Sequence, residues 1–201
     1  MADRSILFSA AMVRAILDGR KTQTRRIFVP PLPYDADDDI SVPIALGEIA
    51  PRIKRGDRLY VREAWRTEAR YDDRKPSELP RSAPIYYEAD GKEPGCAGRL
   101  RASMFLPRWG SRITLLVTDV RIERLQDISD EDAIAEGVER ETDDAWADYL
   151  MPSTQCCLSA SGSYRTLWDH INGKGAWESN PWVAAYSFQP IFKNIDEVDR
   201  A

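Results

Sequence analysis

Ser9 to Arg26, SAAMVRAILDGRKTQTRR, joins a short amphipathic helix to a dense polar cluster. Ser9 suits an N-cap, and Met12, Val13, Ile16 and Leu17 fall at helical spacing on one face. Gly19 stands where a left-handed residue would end the helix. The cluster that follows runs Arg20, Lys21, Thr22, Gln23, Thr24, Arg25 and Arg26. Five cations lie between Arg14 and Arg26 against one acid, Asp18, in a chain with 33 acids and 28 bases. Positive charge is therefore concentrated here against the overall balance.

Outward from this stretch, Ser5–Phe8 reads as a first strand and Ile27–Val29 as a second, stopped by Pro30, Pro31 and Pro33. Gly56-Asp57 is a turn signal ahead of a strand over Arg58–Trp65, and Ile85–Ala89 makes another short one. Arg112 to Leu125 is the longest strand signal, β-branched and apolar on both faces near its start. Ile128–Val138 predicts a helix with Ser129 as N-cap, Asp132 at the capping-box position, Ile128 and Ala133 as staple, and Gly137 as stop. A third helix is expected from about Ser163, with Tyr164, Leu167, Trp168 and Ile171 on one face, and Trp182–Phe188 alternates as a closing strand. The stretches near 30–55, 69–110 and 140–162 read as inserts or loops; within the last, Trp146 and Tyr149 hint at a helical turn. Strands neither alternate strictly with helices nor stand alone, which predicts an α+β protein built on a small mixed sheet or barrel.

At 201 residues the chain fits one domain over 1–192, with a polar tail over 193–201 expected to fray. A net charge of −5 argues against a general nucleic-acid coat protein, yet leaves room for a focused basic pocket, because local field attracts a phosphate. Cys96, Cys156 and Cys157 form no CxxC pair, and one histidine leaves zinc without a ligand set, so no metal or cofactor is expected. The apolar run at the N-terminus is too short for a signal peptide and nothing approaches a membrane span, which gives the expectation of a cytoplasmic protein.

The cluster admits two chemistries. A threonine hydroxyl becomes a nucleophile when a neutral lysine takes its proton, and burial or neighbouring cations keep a lysine neutral. Lys21 and Thr24 are spaced i,i+3, which brings them together on a turn or bulge and sends them to opposite faces of a regular strand. Alternatively Arg20, Arg25 and Arg26 bind phosphate, or are solvated cations after a helix end. Glu136, directly before Gly137, is a candidate carboxylate; Glu63 is its rival, expected buried and paired to an arginine. Trp65 and Trp109 are candidates to stack on a base, Trp109 beside Arg108, whereas Trp168 and Trp182 fit core faces. His170 and the adjacent cysteines have no supporting motif.

Taken together, ILFSAAMVRAILDGRKTQTRR, GDRLYVREAW, PRWGSRITLLVTDVRIERLQDISDEDAIAEGV and LWDHINGKGAWESNPWVAAYSF resemble the ASCH domain family, of PUA-like fold, and its longer phage and prophage members. The resemblance covers about half the chain. It implies a small mixed β-barrel with helices packed at its mouth and a pocket for a nucleobase or RNA. One branch of that family comprises compact amidohydrolases acting on N4-acetylcytidine, with lysine and threonine in a GRKTxT motif and a glutamate near the end of the later helix. Carried onto this sequence, Lys21 matches the base, Thr24 the nucleophile and Glu136 the proton donor. Arg25 and Arg26 then remain for a phosphorylated substrate or RNA. The alternatives are a non-catalytic RNA-binding module and a phage morphogenesis or interaction accessory protein.

Overall fold

The computed structural model describes residues 2–151 and 155–199. In chain order its elements are β1 (Asp3–Leu7), α1 (Ala10–Leu17), β2 (Gln23–Ile27), α2 (Ser41–Ala45), β3 (Arg58–Arg62), β4 (Trp65–Arg66), β5 (Tyr86–Tyr87) and β6 (Thr114–Arg124). There follow α3 (Asp130–Ala135), β7 (Arg140–Thr142), β8 (Ala145–Ala147), β9 (Cys156–Cys157), α4 (Ala160–Asn172) and β10 (Trp182–Ile191). Five strands are hydrogen-bonded in the order β1-β3-β6-β10-β2. β1 runs parallel to β3, β3 antiparallel to β6, and β10 antiparallel to β2. Among the described residues this order is linear, with β1 and β2 as edges, so the sheet is not a closed barrel. The protein is a mixed α+β structure.

The chain divides into two compact units, each assembled from separated segments. The first comprises Met1–Gly19, Arg55–Thr118 and Phe188–Ala201. Here Ser9 caps α1, its hydroxyl accepting from the Met12 backbone N–H, and Val13, Ala15 and Ile16 are its buried face. Gly19 turns with φ +75°, a region that a Cβ disfavours, and so releases the chain from the helix. A core of Trp65, Leu79 and Leu106 is flanked by Tyr71, Ile85, Tyr87 and Trp109. The polar tail does not fray over its described part: Ile195 is fully buried, and the Arg58 guanidinium donates to the Ile195 and Val198 carbonyls. Its one apolar anchor outweighs the charge around it.

The second unit comprises Arg20–Lys54 and Asp119–Ser187. Leu125, Ile128, Ala133, Val138, Tyr164, Trp168 and Val183 form its larger core, and Ile40, Ile49 and Trp182 a smaller one that orders the expected 30–55 loop around α2. Three expectations are corrected here. β2 starts at Gln23, inside the polar cluster rather than after it, because its backbone pairs with β10 from Gln23↔Ser187 to Ile27↔Val183. Arg140–Thr142, Ala145–Ala147 and Cys156–Cys157 form the three-stranded sheet β7-β8-β9, and Trp146 pairs with Cys157 in it rather than sitting on a helical turn; within the loop expected over 140–162, residues 152–154 lie outside the described residues. α4 begins three residues before Ser163, capped by the Ser159 hydroxyl, which accepts from the Gly162 N–H.

Candidate functional site

Lys21 and Glu136 meet in the second unit although 115 residues separate them. Lys21 lies between α1 and β2, and the neighbouring Thr22 N–H donates to the Ala135 carbonyl, which ties this linker to the end of α3. α3 is started by Ser129, whose hydroxyl accepts from the Asp132 N–H, and stopped by Gly137 at φ +87°. Glu136 is therefore held at the helix end, where its carbonyl and its carboxylate both face the lysine. Lys21 Nζ donates to Glu136 O at 2.8 Å and to Glu136 Oε2 at 2.7 Å. Both residues are buried, at 1% and 6% exposure.

Arg25 extends the network. Its guanidinium donates to Gln23 Oε1, to Glu136 Oε1 at 3.3 Å, to Glu123 Oε1 at 2.7 Å and to Asp132 Oδ2 at 2.9 Å. Gln23 and Arg25 share a strand face, so one side of β2 delivers both to the same carboxylates. Asp132 does not close a capping box. Its carboxylate accepts instead from Gln23 Nε2 at 3.0 Å and Arg121 Nη2 at 2.8 Å as well as from Arg25. Charge-assisted bonds to three side chains hold it more strongly than one backbone N–H would.

Burial and charge act against each other here. Desolvation pulls the Lys21 ammonium below the usual lysine range, and the attraction of Glu136 offsets this only in part. Arg26 is likewise pulled down by burial, again with Glu136 acting against the shift. For Arg25, burial also disfavours the cation, but Glu136 and Glu123 outweigh it and the net direction is upward. Asp132 loses solvation on burial, yet Gln23 and Arg121 bring its carboxyl below the ordinary aspartate range. Tyr164 is pushed well above the usual tyrosine range by burial, then by Glu136, so its ring meets Arg25 as a neutral phenol, 6.0 Å away. Glu136 is thus the shared anion of three cations: Lys21, Arg25 and Arg26.

Thr24 is the second residue of β2, paired with Tyr186, and 1% exposed. Strand alternation sends it to the face of Arg26, opposite Gln23 and Arg25. Its hydroxyl makes no hydrogen bond among the described residues.

The other sequence candidates are distributed differently. Arg20 is exposed, donates to the Gly137 carbonyl at 3.2 Å and pairs loosely with Glu139 at 3.9 Å. Arg25, expected to be left for phosphate, is instead saturated by carboxylates and fully buried. In the first unit, Trp65 is 0% exposed at the centre of its core, so neither ring face is open for stacking on a base. Trp109 packs on that same core, and Arg108 is committed to Asp3 at 2.7 Å and Asp196 at 2.6 Å. Glu63 is buried with both oxygens on Arg112, at 2.9 and 3.0 Å, and burial raises its carboxyl against that pairing.

Glu123 and Arg121 escaped sequence reasoning, while Gln23 and Asp132 were expected only as a cluster member and a capping-box residue. A polar strand face at alternate positions 23 and 25 was the available signal, hidden because the apolar strand pattern starts only at Ile27. Among the described residues no helix is long and apolar enough to cross a membrane, and no group of three or more His, Cys, Asp or Glu side chains could hold a metal ion. No protein family, curated protein or solved structure matches this chain.

Proposed function

We propose that this chain is an ASCH-type module of PUA-like descent that binds an RNA or nucleotide and deacylates N4-acetylated cytosine at Lys21, Thr24 and Glu136. The observation that carries the reading is the 2.7 Å hydrogen bond between the buried Lys21 Nζ and Glu136 Oε2. Two motifs from opposite parts of the sequence meet in one polar cluster at Lys21 and Glu136. Thr24, on the other face of β2, makes no hydrogen bond to the lysine, so the attack requires the start of β2 to turn Thr24 Oγ1 towards Lys21 Nζ.

The chemistry balances as follows. Lys21 acts as the neutral amine, the form that burial favours, and its Nζ lone pair takes the proton of the Thr24 hydroxyl as Thr24 Oγ1 attacks the acetyl carbonyl. The proton crosses the Lys21–Glu136 hydrogen bond, and Glu136 delivers it to the exocyclic nitrogen as the C–N bond breaks. Cytosine leaves with a free amine, and water then hydrolyses the acetyl-threonine ester to acetate. Arg25 keeps Glu136 in place without touching the substrate, because all of its strong donors are engaged within the protein.

The test is acetate release from N4-acetylcytidine by wild type, Thr24→Ala and Lys21→Ala. Turnover that both substitutions abolish supports the reading. No release above the Thr24→Ala background removes the hydrolase, and retained binding of short RNA that weakens with salt would leave a non-catalytic binding module.

A further inference from the structure

The segment between β3 and β6 in the first unit contains a cleft of about 400 Å³ that the hydrolase reading does not use. Four cations line it, Arg74, Lys75, Arg99 and Arg101, against the single acid Asp73. None of the four forms an ion pair with any described residue. Lone cations converging on a concavity cost electrostatic repulsion, which an anionic ligand relieves.

The walls are held in place. Arg101 is 6% exposed, lies 5.2 Å over the Trp65 ring, and donates to the Tyr71 and Arg74 carbonyls at 2.6 and 2.9 Å. It thereby fixes the turn that carries Arg74 and Lys75. Its Nε, buried, has no hydrogen-bond partner. The opposite wall is held by Asp72, whose carboxylate accepts the Arg99 N–H at 3.0 and 3.1 Å. Gly98 permits this approach, since a Cβ there would stand 2.2 Å from Asp72 Oδ1. Apolar surface completes the cleft: Phe105 is 54% exposed and Leu100 46%.

We infer that this cleft binds a phosphomonoester carried on an aromatic base, that is a ribonucleotide, either free or as the terminal residue of an RNA strand. Arg74, Lys75 and Arg99 meet the phosphate, since guanidinium forks suit its oxygens. Phe105 and Leu100 meet the base. The volume matches a ligand of this size. The inference does not depend on the hydrolase.

Calorimetry with the four ribonucleoside 5′-monophosphates, inorganic phosphate and adenosine tests it, on the full chain. A monophosphate is expected to bind more tightly than phosphate or adenosine alone, and less tightly as salt rises. Arg74→Gln and Arg99→Gln each weaken it about tenfold, the scale of one lost charge-assisted hydrogen bond. Phe105→Ala weakens the nucleotide and spares inorganic phosphate. A 5′-phosphorylated oligoribonucleotide that outcompetes its 5′-hydroxyl counterpart assigns the ligand to an RNA end; equal competition with mononucleotide binding retained assigns a free nucleotide. Binding of none of the monophosphates, or binding undiminished in both arginine variants at unchanged melting temperature, overturns the proposal. Arg99→Gln keeps acetate release from N4-acetylcytidine, so the two readings fail separately.

Discussion

The protein holds positive charge in two opposite ways. Lys21 and Arg25 are buried and bonded to Glu136, Glu123 and Asp132, whereas Arg74, Lys75 and Arg99 are exposed and without carboxylate partners. Removing a charge from water costs several kcal/mol even after relaxation, so the first set exists only because its anions are positioned with it. The second set stays hydrated and asks nothing of the fold, which leaves it free for a ligand. One cluster is therefore coupled to folding, whereas the other keeps its cations in water.

Breaking the anionic hub gives the largest expected effect. Glu136→Ala leaves Lys21 and Arg25 buried with an anion missing and should destabilise the protein by about 3–5 kcal/mol, measured by urea unfolding. A loss below about 1 kcal/mol would mean that water already enters the cluster. Replacing Ser129 by Ala removes the cap of α3, the helix that presents Glu136, and should cost about 1 kcal/mol in the same assay. Thr24→Ala should cost about 1 kcal/mol, the scale of one buried methyl group, while abolishing acetate release.

Acid titration sharpens the contrast. Asp132 has a folded pKa below its unfolded value of 3.8, so below 3.8 the unfolded chain binds the proton first. Its contribution is full above pH 3.8 and is lost as pH falls through the folded pKa. The stability difference between wild type and Asp132→Asn should shrink across that window and be flat above it. At the other end of the scale, acetate release should rise with pH to a midpoint below the ordinary lysine value of 10.5, because burial disfavours the Lys21 ammonium. The smallest change belongs to the cleft: Arg74→Gln and Arg99→Gln should alter stability by no more than about 0.5 kcal/mol.

Local signals were readable where the chemistry is local. Ser9 and Ser129 cap the helices they were expected to cap, and Gly19 and Gly137 adopt the positive φ that ends each one. β6 falls where the β-branched run lies, at Thr114–Arg124. Legibility failed where long-range pairing overrides local character. Gln23-Thr24-Arg25-Arg26 is polar and lacks the apolar alternation of a strand, but β10 supplies a ladder for its backbone and Glu123, Asp132 and Glu136 neutralise Arg25. Trp65 lies beside charged residues in sequence and at the centre of a core in space.

The amino-acid sequence by itself determined the mixed α+β class, the helix caps and stops, and the nomination of Lys21, Thr24 and Glu136. Only the tertiary structure decided which cations are neutralised and which are free, because a carboxylate 98, 107 or 111 residues away leaves no trace in local spacing. Charge pairing is a property of distance in space, and the fold alone sets that distance.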